Sequence, residues 1–179
     1  MKYDPDKHHR RSIRLKHHDY TKSAAYFVTI AASNQASFFG DISNGRMQLN
    51  EFGAIVENRW KDHLIGLRRS LDAFILMPNH LHGIVIIGNN PVATDSGAMN
   101  RVPTLGKIVR SFKGSSTRLV RQAGGADFAW QRNYHEHVIR NEKSLERIRG
   151  YILDNPAQWM IDRDNPSATT FEPEDAWRL

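Results

Sequence analysis

Residues 71–87 read LDAFILMPNHLHGIVII, and the order of apolar runs and breakers in this stretch decides the fold. Leu71, Ala73, Phe74, Ile75, Leu76 and Met77 form one apolar run, Pro78 and Asn79 a turn, and Ile84, Val85, Ile86 and Ile87 a second run. That pattern predicts a central β-hairpin. Residues two apart on a strand point to the same face, so His80 and His82 present side by side at the start of the second strand, with Leu81 turned away. At about 3.3 Å per residue their Cα atoms lie roughly 6.5 Å apart, and two imidazoles so spaced can converge on one cation with metal–nitrogen bonds of about 2 Å. Neutral imidazole is the commonest metal ligand among side chains. The same motif also serves packing or a solvated surface, so a metal reading needs a third ligand.

Working outward, the chain has 179 residues, 25 Lys and Arg against 19 Asp and Glu, and a net charge of +6, with a pI near 9.8. The length suits one domain with or without tails. The basic surplus favours a polyanionic partner, nucleic acid first, against the plainer reading of a basic soluble protein. Cysteine is absent, which excludes disulfides, thiolate nucleophiles and cysteine zinc sites and fits a reducing compartment. No apolar run approaches the ~18 residues of a membrane span, and the charged N-terminus has no hydrophobic segment after it. The expectation is a cytoplasmic protein that does not bind membranes.

Residues 1–23 lack periodicity and concentrate Arg10, Arg11 and Arg14 with several histidines, which predicts a basic arm able to fork onto phosphates or guanine edges. A domain over residues 24–156 follows. Its first buried strand is Tyr26–Ala32, a short strand lies over Gly45–Leu49, and a helix runs over Glu51–Leu67, capped by Asn50 and carrying His63 on a face rather than as a ligand. Residues 88–103 read as a long loop. Thr104 opens a second helix with an apolar stripe of Leu105, Ile108, Val109, Phe112 and Leu119, ended by Gly124 and Gly125. Lys107, Arg110, Lys113, Arg118 and Arg121 occupy its remaining surface with no acid between them, which makes that surface a candidate DNA contact. Residues 128–139 suggest a strand and its exit, with a second pair, His135 and His137, whose polar middle residue Glu136 fits an edge or loop. The last helix starts at N-cap Asn141, carries Leu145, Ile148 and Ile152 on one stripe, and is expected to stop at Pro156. Residues 157–179 read as an extended tail.

Within that last helix Tyr151 and Asn155 stand four apart, on one face a single turn from each other. An amide oxygen added to two imidazoles makes a mixed site suited to a hard divalent cation, with room for water and substrate. The plain alternative is a half-buried helix tyrosine followed by a C-terminal turn residue.

The HLH pair after MPN, the segment WQRNYHEHVIRNEKSLERIRGYILDNP and the arm HHRRSIRLK together resemble the single-strand tyrosine transposases of the IS200-like superfamily, the REP-associated tyrosine transposases above all. The resemblance spans about Ser12 to Pro156. It implies an α+β, ferredoxin-like antiparallel sheet with helices packed on one face, the histidine pair on a central strand and the catalytic tyrosine on a helix against it. By position, His80 and His82 match the histidine-hydrophobe-histidine metal pair, Tyr151 the nucleophile, and Asn155 a ligand position that is often glutamine in the insertion-sequence branch. Arg10, Arg11 and Arg14 fall where REP-associated relatives carry a DNA-reading arm. No role carries over to His135, His137 or the tail.

The resemblance therefore implies an HUH-type enzyme of DNA transposition that uses Mg²⁺ or Mn²⁺. It would cut single-stranded DNA beside REP-like hairpins through a 5′-phosphotyrosine and transfer the strand without ATP, as a monomer or a homodimer. Mixed nitrogen and oxygen ligands favour Mn²⁺ for tightness, and availability favours Mg²⁺. The rival readings are a non-catalytic DNA-hairpin binder and a metallohydrolase that activates water and has no need of Tyr151. Tyr134, beside His135, competes with Tyr151 as the nucleophile.

Overall fold

The computed structural model describes residues 23–66, 71–88, 92–93, 99–100 and 103–170. Its strands and helices in chain order are β1 (Ala24–Ala31), β2 (Gly40–Ser43), β3 (Arg46–Leu49), α1 (Glu51–Gly66), β4 (Leu71–Leu76), β5 (His80–Ile87), β6 (Val92–Ala93), β7 (Met99–Asn100), α2 (Leu105–Gln122), β8 (His135–Ile139) and α3 (Glu142–Asp154). The sheet runs β4-β5-β1-β8, and every adjacent pair is antiparallel. With α1 between β1 and β4, and α2 between β5 and β8, this is the α+β, ferredoxin-like arrangement that the family resemblance implied. β5 holds a central place because β1 pairs with it along its whole length, from Ala24 opposite Ile87 to Ala31 opposite His80.

Alternation along β1 explains how the layers divide. Tyr26, Val28 and Ile30 enter one core with Leu81, Val85 and Ile87 of β5, Val56, Trp60 and Leu64 of α1, and Ile108, Val109 and Phe112 of α2. Phe27 enters a second, smaller core with Ile84, Ile139 and the α3 residues Ile148 and Ile152. The helices are therefore not all on one face: α1 and α2 cover one side and α3 covers the other. The reason is chemical, since both faces of β1 and β5 carry large apolar residues, Tyr26, Val28 and Ile30 on one and Phe27 and Ile84 on the other, and each needs a cover. Ring contacts tie the larger core together, among them Trp60 to Phe112 at 4.9 Å and Phe39 to Trp130 at 5.2 Å between centroids.

Several local expectations need adjustment. The helical stripe of α2 turns through Ser116 and Val120 rather than Leu119. Ser116 is tolerated there because its hydroxyl donates to the Phe112 carbonyl and accepts from Trp130 Nε1 at 2.9 Å. The loop expected over 88–103 contains a two-stranded ribbon, β6 with β7, whose strands are too short to leave a periodic signal. Asn50 caps α1 as expected, accepting from the Gly53 N–H at 2.9 Å. No helix among the described residues is long and apolar enough to cross a membrane.

Gly83 follows the histidine pair on β5 and lies against the indole of Trp60. A Cβ there would stand 2.9 Å from Trp60 Cζ2, and Trp60 is fully buried, so the ring yields only by displacing its core neighbours. Gly83→Ala is expected to cost about 1–3 kcal/mol, the usual range for overpacking a filled core. Urea denaturation checks this; unchanged stability would mean that the indole can shift.

Candidate functional site

His80, His82 and Ile84 share the β5 face that looks toward α3, because their cross-strand partners Ala31, Thr29 and Phe27 alternate in step. The two imidazoles are buried, with ring centroids 4.4 Å apart. Asn79 fixes the first of them. Its amide nitrogen donates to the carbonyls of Gln35 at 3.1 Å and Asp164 at 2.6 Å, so its oxygen is the atom left facing His80 Nδ1 at 2.9 Å. That oxygen only accepts, so Nδ1 carries the proton and Nε2 keeps its lone pair. Thr29 Oγ1 holds Nδ1 of His82 at 2.9 Å. Nε2 of each ring is buried with no hydrogen-bond partner. Burial pushes His80 down to about 3. His82 also falls well below the usual histidine value, through burial and then its neighbour His80, with Asp164 opposing. Both rings are thus neutral at pH 7, the form that ligates a metal.

α3 supplies the opposite wall. Asn141 caps it as expected, accepting from the Ser144 N–H at 2.8 Å. Arg149 anchors it to β4 by a forked pair to Asp72, Nε to Oδ1 at 2.9 Å and Nη2 to Oδ2 at 2.7 Å. This pairing, first through its hydrogen bonds, holds the Asp72 carboxyl below the usual range. Tyr151 lies on the face so oriented, half-buried, with its ring 5.5 Å from His82 and edge-on to Phe27 at 6.1 Å. Asn155 follows one turn later, 1% exposed, and neither its amide oxygen nor its nitrogen has a hydrogen-bond partner.

The chain after Asn155 departs from the expected extended tail. Residues Asn155–Ile161 form a 3-10 helix with Pro156 in its first turn, where the missing N–H costs nothing. The turn beyond it brings Asp162, 2% exposed, to the histidines. Ligand atoms of His80, His82 and Asp162 lie within 4.8 Å of one another. The sequence reading missed Asp162, because one acid in a proline-punctuated, charged segment carries no periodic signal. Buried Nε2 atoms without partners, an orphaned amide and a nearby carboxylate are a donor set that fits a divalent cation.

The other residues singled out from sequence lie elsewhere. Arg10, Arg11 and Arg14 fall outside the described residues. Lys107, Arg110 and Arg118 are exposed on α2, which covers the side of the sheet away from the histidines. Lys113 donates to the carbonyls of Gln131 at 2.9 Å and Asn133 at 2.8 Å and lies over the Tyr134 ring; burial lowers it to about 8. Tyr134 itself packs against the α1/α2 core, across the sheet from His80 and His82. His135 is exposed on the edge strand β8, opposite Thr29 and so on the same face of the sheet as His82 but one strand further out. His63 is buried, its Nε2 3.1 Å from the Ile108 carbonyl.

His80 makes the fold acid-sensitive. Its folded pKa, about 3, lies below the unfolded value of 6.5, so between those limits the unfolded chain binds a proton that the fold refuses. The stability is complete above pH 6.5 and declines as pH falls, by about 2 kcal/mol at pH 5 from this residue alone. Urea titrations at pH 7 and pH 5, with chelator present, should show a larger loss in the native chain than in His80→Gln; equal losses would mean that the folded imidazole takes up the proton.

Against known proteins, no family model matches the chain. A Haemophilus influenzae protein described only as uncharacterised is 42% identical over 173 residues, 90% of this chain and 96% of its own length. A second protein from the same organism, named "Putative REP-associated tyrosine transposase", is 26% identical over 149 residues, 78% of this chain and 74% of its own. Among solved structures, a REP-associated tyrosine transposase bound to a REP hairpin superposes with a TM-score of 0.56 at 20% identity, over 81% of this chain and 73% of that one. The chain belongs to one family with the first Haemophilus influenzae protein, and in sequence and fold it resembles the REP-associated tyrosine transposases.

Proposed function

We propose that this protein is a transposase of the REP-associated tyrosine type, which cuts single-stranded DNA beside a hairpin by attack of Tyr151. The observation that carries the reading is the Tyr151 ring 5.5 Å from His82, beside imidazole nitrogens and an Asn155 amide that are buried without hydrogen-bond partners. The hairpin named for the solved relative suggests the form of the DNA.

A phenol of pKa about 10 is only roughly 0.1% ionised at pH 7, so attack depends on an electrophilic, well-aligned phosphate. His80, His82 and Asn155 would hold Mg²⁺ or Mn²⁺, and what that ion supplies when bound is polarisation of a non-bridging phosphate oxygen. The protein's own part is placement. α3 sets the distance between the Tyr151 oxygen and Asn155 one turn away, Asn79 holds the His80 imidazole with its Nε2 lone pair toward the site, and Thr29 orients the His82 ring through Nδ1. As the phenolic oxygen bonds to phosphorus, the phenol loses its proton to solvent, the P–O3′ bond breaks and the leaving oxygen takes up a proton as a 3′-OH. Attack by another 3′-OH on the phosphotyrosine rejoins strands at similar energy. Lys107, Arg110 and Arg118 would contact DNA flanking the cut, across the sheet from the chemistry, and Arg10, Arg11 and Arg14 would fix register on the hairpin.

Incubation with labelled single-stranded hairpin DNA and Mn²⁺, followed by denaturing electrophoresis, tests the reading. A covalent band is expected from the native chain and from Tyr134→Phe and none from Tyr151→Phe, while hairpin affinity stays within a few fold. Binding without an adduct in the native chain would instead identify a hairpin binder, and an adduct surviving Tyr151→Phe would move the nucleophile. Separately, Arg10→Ala with Arg11→Ala should flatten the salt dependence of binding, by a slope of about 0.7 for each single-strand phosphate that the variant leaves unneutralised; an unchanged slope with altered base preference would assign those arginines to bases.

A further inference from the structure

We propose that Asp162 is the anionic ligand of the cation at His80 and His82, so that the turn after the 3-10 helix is a working part of the metal centre. The inference rests on the metal reading above and adds to it the residue that supplies charge. Two neutral imidazoles and an amide carry none, and a divalent cation leaving water for a buried site needs a compensating negative group.

The geometry around Asp162 carries the argument. Its Oδ1 accepts the Asp164 N–H at 2.7 Å, which fixes the carboxylate plane. Its Oδ2 stands 3.8 Å from Nε2 of His80. Because the Asn79 oxygen requires the proton on Nδ1, the atom meeting that carboxylate is a lone-pair nitrogen. Two acceptors facing each other in a buried space repel unless a positive charge stands between them. Neighbouring ligand atoms around a cation with bonds near 2.1 Å are about 3 Å apart, so a small side-chain rotation closes the remaining gap.

The turn is also tied in place independently of any cation. Asn165 Nδ2 donates to the Trp159 carbonyl at 2.9 Å, and Asn79 Nδ2 donates to the Asp164 carbonyl at 2.6 Å. Asp164 serves as a built-in control. Its carboxylate lies 4.0 Å from His80 Nδ1, the protonated nitrogen, and therefore faces the side of the ring that does not ligate.

Calorimetric titration of Mn²⁺ into the chelator-treated full chain separates the possibilities. Expected are an affinity at least tenfold weaker in Asp162→Asn, a change of less than about threefold in Asp164→Asn, and no measurable binding in His80→Ala with His82→Ala. Asn at 162 keeps an oxygen for the Asp164 N–H, so the turn should survive, as far-UV circular dichroism will report; should that variant not fold, Asp162→Ser is read in the same way. Native affinity without the 162 carboxylate, together with loss in the double histidine variant, would overturn the role of Asp162 and leave the metal reading standing. Native affinity in the double histidine variant would overturn both.

Discussion

One side chain, Asn79, holds the working end of this molecule together. Its amide nitrogen bonds two carbonyls from segments far apart in sequence, Gln35 after β1 and Asp164 after α3, while its oxygen receives the proton of His80. A carboxylate there could not donate to the carbonyls, and a hydrophobe would leave both, and the imidazole, without partners. The cost of burying His80 as a neutral ring with an unpartnered Nε2 lone pair is thus met by an interaction that also places the C-terminal turn. Tautomer, strand end and turn are set together.

The buried strands of the fold were readable from the sequence. The hairpin of β4 and β5 follows from two apolar runs around Pro78 and Asn79, and β1 from YFVTIAA, because a strand covered on both faces reads as a near-continuous apolar run bounded by breakers. The helices α1, α2 and α3 fall within a few residues of their caps and stripes. Which face each helix covers is different information. Nothing in the α3 stripe of Leu145, Ile148 and Ile152 says on which side of the sheet it lies, since both faces of β1 and β5 carry apolar residues.

The candidate site divides along the same line. His80 and His82 are visible as a pair because strand geometry alone puts them together, and Tyr151 and Asn155 because one helical turn does. That Tyr151 comes to lie beside His82 is a tertiary fact, and the resemblance to known transposases implied it where periodicity could not. Asp162 belongs to neither pattern. It arrives through a 3-10 turn whose sequence, NPAQWMI, looks like a helix stop followed by surface chain. The basic stripe of α2 shows the opposite limit: its residues are exposed as their pattern predicts, apart from Lys113, but exposure says nothing about distance from the chemistry.

The unequal cores on the two faces of the sheet have a mechanical consequence. Trp60, Phe112, Phe128 and Trp130 lock α1 and α2 to one side, whereas α3 rests on a smaller core of Phe27, Ile84, Ile139, Ile148 and Ile152, with Tyr151 against it, and a forked ion pair at its edge. The free energy needed to open a segment tracks the apolar area that it buries, so α3 is the more lightly held helix, while the turn after it stays tied to the end of β5 through Asn79. Opening of α3 would carry Tyr151 away from the imidazoles and leave Asp162 beside them. The candidate site thus lies along a seam between α3 and the sheet, and a polymer with no free end nearby could be laid into such a seam from the side instead of being threaded through a hole.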